Sequence, residues 1–165
     1  MITTREAVIN DLVAITEIYN EAVLTTVATF DIQPMSLEEQ KTWFEEHGPK
    51  YPVVVAMEDG VVRGWASLSE WSGRCAYTDT AEISLYVREI DRGRGVGREL
   101  MAEIIRAGEK AGLHTVIARI AGENEASVRL HKSAGFEYIG VMKEVGKKFG
   151  KLIDVHLMQL IYLSG

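Results

Sequence analysis

Apolar residues first recur at helical spacing in "NDLVAITEIYNEAV" (10–23). There Leu12, Ile15, Ile18, Tyr19, Ala22 and Val23 share one face, and Asn10 stands where an N-cap belongs. A short strand, "ITTREA" (Ile2–Ala7), precedes this helix. "SLEEQKTWFEEHG" announces a second helix: Ser36 and Glu39 have capping-box spacing, Leu37, Trp43 and Phe44 give an apolar side, and Gly48-Pro49 stops it. The period then shortens. "YPVVVAMEDGVVRGWASLSEW" reads as two strands around an Asp59-Gly60 hairpin turn. "TAEISLYVRE" alternates, with Ala81, Ile83, Leu85 and Val87 on one face and Glu82, Ser84 and Tyr86 on the other. "GRELMAEIIRAGEKAG" is an amphipathic helix ended by Gly112, "HTVIARIA" a strand, and "NEASVRLHKSAG" a helix closed by Gly135. "FEYIGVM" and "IDVHLMQLIYL" are the last strands. The order β-α-α-β-β-β-α-β-α-β-β predicts a mixed sheet with helices on its faces, an α/β or α+β chain.

Composition narrows this little. The 165 residues, 47% hydrophobic and 25% charged, suit one domain spanning 1–165. A formal charge of −6 argues against a general nucleic-acid binder. Cys75 is the only cysteine, so no intrachain disulfide forms. Neither a signal pattern nor a membrane-length apolar run is visible, so the expected location is the cytoplasm, with no membrane partner.

Charge changes the picture at one spot. "DRGRGVGREL" (Asp91–Leu100) gathers three glycines and three arginines between a strand and a helix, with Arg88 just upstream. Helix-terminal N–H groups there lack intrahelical partners, and glycines let an anion approach the backbone, so a phosphate or diphosphate cradle is expected. A P-loop is excluded because no Gly-Lys-Ser/Thr follows. The dinucleotide fingerprint also fails: the spacing is Gly93-x-Gly95-x-Gly97, and "TVIARI" downstream lacks the ribose-binding carboxylate.

Arg92-x-x-Gly95-x-Gly97 resembles the acetyl-CoA signature of the GNAT family of N-acetyltransferases. "NEASVRLHKSAGFEYIG" is similar to that family's downstream helix and strand. "GRCAYTDTAEISLYV", "EIYNEAV" (17–23), "TFDIQP", "YPVVVA" and "VGKKFGKLIDVHLMQ" resemble the phosphinothricin and methionine sulfoximine/sulfone branch. The resemblance implies the GNAT fold, a central, mostly antiparallel mixed sheet flanked by helices, with acetyl-CoA as co-substrate and no metal. It also implies a homodimer, a small-molecule amine acceptor, and roles in herbicide or antibiotic resistance.

Acetyl transfer needs a polarised carbonyl, a neutral amine and support for the leaving thiolate. On the resemblance, Leu85, Tyr86 and Val87 meet the pantetheine arm. Arg92, Gly93, Arg94, Gly95, Val96, Gly97 and Arg98 hold the diphosphate, and Asn124 and Ser133 make further cofactor contacts. Glu82 is the candidate base, acting through water, because a carboxylate is a far weaker base than an amine. Phe30, Arg74, Cys75, Ala76, Tyr77, Glu82 and Ser84 are the candidate acceptor contacts. His131 stands where many relatives carry a tyrosine acid; it is read either as a structural residue or as that acid, with water the other source of the proton. His47, His114 and His156 lack ligand spacing. Other readings stay open: a peptide, polyamine or antibiotic acceptor, a non-catalytic CoA-binding module and, more remotely, a dinucleotide oxidoreductase.

Overall fold

The computed structural model describes residues 1–163. Seven strands form one sheet in the order β1-β2-β3-β4-β5-β7-β6. They are β1 (Thr3–Glu6), β2 (Val53–Glu58), β3 (Val61–Glu70), β4 (Thr80–Val87), β5 (Thr115–Ala121), β6 (Glu137–Lys148) and β7 (Lys151–Ile161). Every neighbouring pair is antiparallel except β4–β5. The helices are α1 (Leu12–Thr25), α2 (Leu37–Glu45), α3 (Val96–Lys110) and α4 (Glu125–Ser133). The predicted element order is the observed one.

Alternation along β2 builds both layers. Val53 and Val55 pack with Leu12, Ile15 and Ile18 of α1 and with Trp65, while Val54 and Ala56 pack with Leu100, Met101 and Ile104 of α3. Thus α1 and α2 cover one face and α3 the other. No helix among the described residues is long and apolar enough to cross a membrane.

Local chemistry decides the element ends. Ser36 Oγ accepts from Glu39 N–H at 3.1 Å and Glu39 returns the bond to Ser36 N–H at 3.2 Å, completing the expected capping box. Asp59 (φ 53) and Gly60 (φ 75) make the expected hairpin turn with two left-handed residues. The Asn10 cap is corrected. Asn10 lies inside a 3-10 turn, Ile9–Asp11, and it is the Asp11 carboxylate that accepts Val8 N–H at 2.8 Å while Arg5 clamps it at 2.7 and 2.9 Å. β6 runs on past Met142, because the Asp154 carboxylate accepts Glu144 N–H at 2.8 Å across a register shift. A second left-handed pair, Phe149 (φ 53) and Gly150 (φ 74), then turns the chain into β7.

Candidate active site

The site begins where the sheet opens. β4 pairs with β5 only from Thr80 to Glu82, opposite Thr115 to Ile117. Beyond that, Ile83–Val87 have no β5 partner among the described residues, while β3 stays paired with β4 through Val87. Arg88 N–H bonds Arg63 O on the β3 side at 2.9 Å. Alternation along the strand therefore turns the amide groups of Leu85 and Val87 toward the gap and those of Tyr86 toward β3.

Two cavities meet at this gap. The first, of about 570 Å³, is lined by Phe30, Glu82, Ser84, Arg119 and His131 among others. The second, of about 480 Å³, is lined by Val87, Arg92, Gly93 and Gly97. Both touch Leu85, Tyr86, Asn124, Ser127 and Leu130, so one groove runs from the glycine loop to Glu82.

At the glycine end, Gly93 (φ 76) and Gly95 (φ 91) adopt left-handed backbone that other residues resist. Nothing lies within 4 Å of a Cβ added at Gly93, so it is conformation rather than crowding that requires glycine there. The first bond of α3 runs from Glu99 N–H to Gly95 O at 3.1 Å, leaving the amides of Val96, Gly97 and Arg98 ahead of the helical ladder. Not all the arginines are free for an anion. Asp91, 3% exposed, gathers Arg88 at 3.0 Å, Arg94 at 2.8 Å and Arg63 at 3.7 Å, and Arg94 also binds Glu58. Arg92 and Arg98 have no such carboxylate among the described residues. Open amides, left-handed glycines and two unclaimed guanidinium groups fit a diphosphate.

At the other end, Glu82 is held by Arg119 of β5. The guanidinium Nε lies 2.5 Å from Oε2 and Nη2 lies 2.6 Å from Oε1. That bond raises the Arg119 pKa further. Arg119 also lies over the Trp71 ring, 5.3 Å from its centre. Tyr86 packs edge-on to Tyr19 and beside Trp65, and burial pushes its phenol up to about 12. Trp65 is core, while Tyr86 is cavity wall. Asn124 Oδ1 caps α4 by accepting Ser127 N–H at 3.1 Å, which leaves its amide N–H groups for a ligand.

His131 is buried against Phe136, and its Nδ1 donates to Ser127 O at 2.7 Å. Burial holds its pKa below the ordinary value, so the ring is neutral, with Nε2 an acceptor. His47 is shifted the same way by burial, tied to Trp43 O at 2.7 Å and Ser69 Oγ at 2.9 Å. Both rings gain protons more readily in the unfolded chain, so stability falls as pH drops below about 6.5 toward the folded values, by up to about 1.4 kcal/mol per pH unit for each histidine. Urea midpoints at pH 7.5 and 5.5 measure this. The H47Q/H131Q double variant, whose amides keep a donor for each carbonyl, flattens the acid arm.

The structure brings together Phe30, Glu82, Ser84, Leu85 and Tyr86 in the first cavity and Leu85, Tyr86, Val87, Arg92, Gly93, Gly97 and Asn124 in the second. Arg94, Gly95, Val96, Arg98 and Ser133 line neither. Arg74, Cys75, Ala76 and Tyr77 also stand outside both, on an exposed 3-10 turn. The sequence reading missed Arg119. Its signal was a lone arginine on the strand face of "TVIARIA" that carries Ile117, the residue opposite Glu82. Lys148 was missed too: it is buried, with Nζ donating to Thr29 O at 2.7 Å, and so fastens the Phe30 loop to β6.

The family model for the acetyltransferase (GNAT) domain matches residues 5–157. The L-methionine sulfoximine/L-methionine sulfone acetyltransferase of Salmonella typhimurium is 40% identical over 151 residues, 91% of this chain and 88% of that protein. A GNAT superfamily phosphinothricin acetyltransferase from Sinorhizobium meliloti, solved in complex with acetyl-CoA, has a TM-score of 0.94 at 40% identity, covering 97% of this chain and 88% of that one. Ribosomal-protein-alanine N-acetyltransferase from Brucella melitensis has the same TM-score of 0.94 at 38% identity, over 97% and 99% of the two chains. With the domain match reaching from β1 into β7 across the opened sheet, the chain belongs to the GNAT family of N-acetyltransferases.

Proposed function

We propose that the acceptor of this acetyl-CoA-dependent N-acetyltransferase is the α-amine of a small amino-acid-like molecule of the methionine sulfone, methionine sulfoximine or phosphinothricin type. The observation that carries this reading is the single groove joining the glycine loop to Glu82 through the β4–β5 gap. Acetyl-CoA supplies the activated acyl group. The amides around Gly93–Arg98, with Arg92 and Arg98, hold the diphosphate, and Asn124 donates to the pantetheine arm. An amide at Leu85 or Val87 points toward the gap and polarises the acetyl oxygen. Glu82 takes the proton of the incoming ammonium through water and positions the amine. His131, neutral and already donating to Ser127 O, accepts a proton rather than giving one, so the proton that reaches the departing CoA thiolate comes from water.

The Arg74–Tyr77 turn enters only as the outer rim of the acceptor side, three residues beyond Trp71. The reading extends to a cytoplasmic homodimer acting on herbicide-like inhibitors. β6 is an edge strand exposing Tyr138, Ile139, Val141 and Val145, an apolar edge that a second copy would cover.

A second reading, a peptide N-terminus as acceptor, is favoured by the similarity to the Brucella structure. Following free CoA over a panel of L-methionine sulfone, L-methionine sulfoximine, phosphinothricin, spermidine and an alanine-terminated peptide decides between them. The amino-acid analogues are expected to exceed the peptide by about 100-fold or more in kcat/KM. Turnover of the peptide alone overturns the small-molecule reading.

A further inference from the structure

We infer that Arg119 is the residue that selects a free α-carboxylate, and that binding the acceptor exchanges the Glu82–Arg119 ion pair for two new ones: substrate ammonium on Glu82 and substrate carboxylate on Arg119. The inference deepens the acceptor reading above and rests on it.

Among the described residues, Arg119 is the one cation and Glu82 the one carboxylate lining the first cavity. They face each other as a two-bonded pair, at 2.5 and 2.6 Å, so each carboxylate oxygen already accepts one hydrogen bond and Arg119 competes with an incoming ammonium for Glu82. The pair is not locked away. The Arg119 side chain is 50% exposed and that of Glu82 is 21% exposed. The Trp71 ring, 5.3 Å from the guanidinium, gives Arg119 a second resting surface once it leaves Glu82. The other cations near this end are committed or outside: Lys148 Nζ donates to Thr29 O at 2.7 Å, and Arg74 is on the exposed turn.

The electrostatics choose the ligand. A zwitterionic α-amino acid carries its ammonium and carboxylate on one carbon, which suits insertion between two groups now in contact. Each of the four charges then keeps an opposite partner in a partly enclosed site. A simple amine or an α-carboxamide satisfies Glu82 but leaves the guanidinium with solvent and the Trp71 face in place of a carboxylate, a weaker arrangement than the two-bonded pair it gave up. A planar, two-pronged guanidinium also matches a carboxylate better than a lysine does. Carboxylate binding thus draws Arg119 off Glu82 and leaves both Glu82 oxygens to the ammonium and its water.

The test compares kcat/KM for L-methionine sulfone and its α-carboxamide in the wild-type protein, R119A, R119K and R74A, with Kd values for both compounds measured calorimetrically in the presence of CoA. The amine of the carboxamide is the more readily deprotonated, so intrinsic reactivity opposes the expected order. Wild type favours the carboxylate by about 100-fold, R119A reduces that ratio to about 5-fold or less through loss on the carboxylate alone, and R119K falls between. An R119A variant that lowers both compounds equally overturns the assignment and leaves Arg119 as a brace for Glu82. A ratio collapsed by R74A instead overturns it in favour of the outer turn. Absence of wild-type discrimination overturns it too. Failure of the acceptor reading has a different signature: the Kd ratio shifts as expected while neither compound is acetylated. Binding of neither compound overturns both.

Discussion

Glu82→Gln lowers kcat by about 100- to 1000-fold while leaving acetyl-CoA affinity unchanged. The substitution keeps the volume and one carbonyl oxygen for Arg119 but removes the charge and the proton acceptor. Glu82 lines only the cavity away from the glycine loop, so the diphosphate end of the groove is untouched. Stability moves little, because a half-exposed ion pair contributes about 1 kcal/mol at most. Single-turnover rates with saturating acetyl-CoA, a calorimetric Kd for CoA and a melting curve together measure the three quantities. Unchanged turnover would remove Glu82 from the chemistry. A chain whose biological role survived the substitution would be a CoA-binding module rather than a catalyst.

The elements and the conformation of the glycine loop were legible because their signals are local. Capping-box spacing, an Asp-Gly turn and period-2 or period-3.6 apolar patterns each act over a few residues, and each reappears in place. The glycine loop was legible for the same reason: left-handed backbone at Gly93 and Gly95 leaves few alternatives to glycine. What escaped is non-local. Arg119 acquires meaning only from the parallel register that sets Ile117 opposite Glu82, and nothing within "TVIARIA" specifies that neighbour. Arg94 reads as a phosphate ligand by position, yet the buried Asp91 and Glu58 claim it across the fold. The Asn10 cap failed by one residue, because Arg5 on β1 clamps the Asp11 carboxylate, which then ties down the entry to the helix. Pairings between strands and ion pairs between distant segments are properties of the assembled sheet.

Gly97→Leu abolishes measurable acetyl-CoA binding, raising Kd by about 100-fold or more, without unfolding the protein. Gly97 is the second residue of α3 and its φ is not left-handed, so a side chain there carries no backbone strain. A Cβ added to it meets Leu130 at 3.5 Å and Leu85 and Val87 at 3.9 Å, ordinary contact distances. Those three residues are themselves walls of the second cavity, so the branched end of a leucine extends into the space beside Gly93, Arg92 and Asn124. Helix propensity favours the replacement by up to about 1 kcal/mol, so Tm holds or rises. A graded series separates blockage from misfolding: Gly97→Ala leaves most of the groove open, valine narrows it, and leucine closes it. Gly95→Ala is the contrast, because its φ of 91 strains any side chain and lowers stability as well as binding. Calorimetry with acetyl-CoA across the series, each variant paired with a melting curve, gives the result. If the leucine variant takes up acetyl-CoA as tightly as the wild type, the diphosphate lies elsewhere, and the groove through the β4–β5 gap does not carry the cofactor.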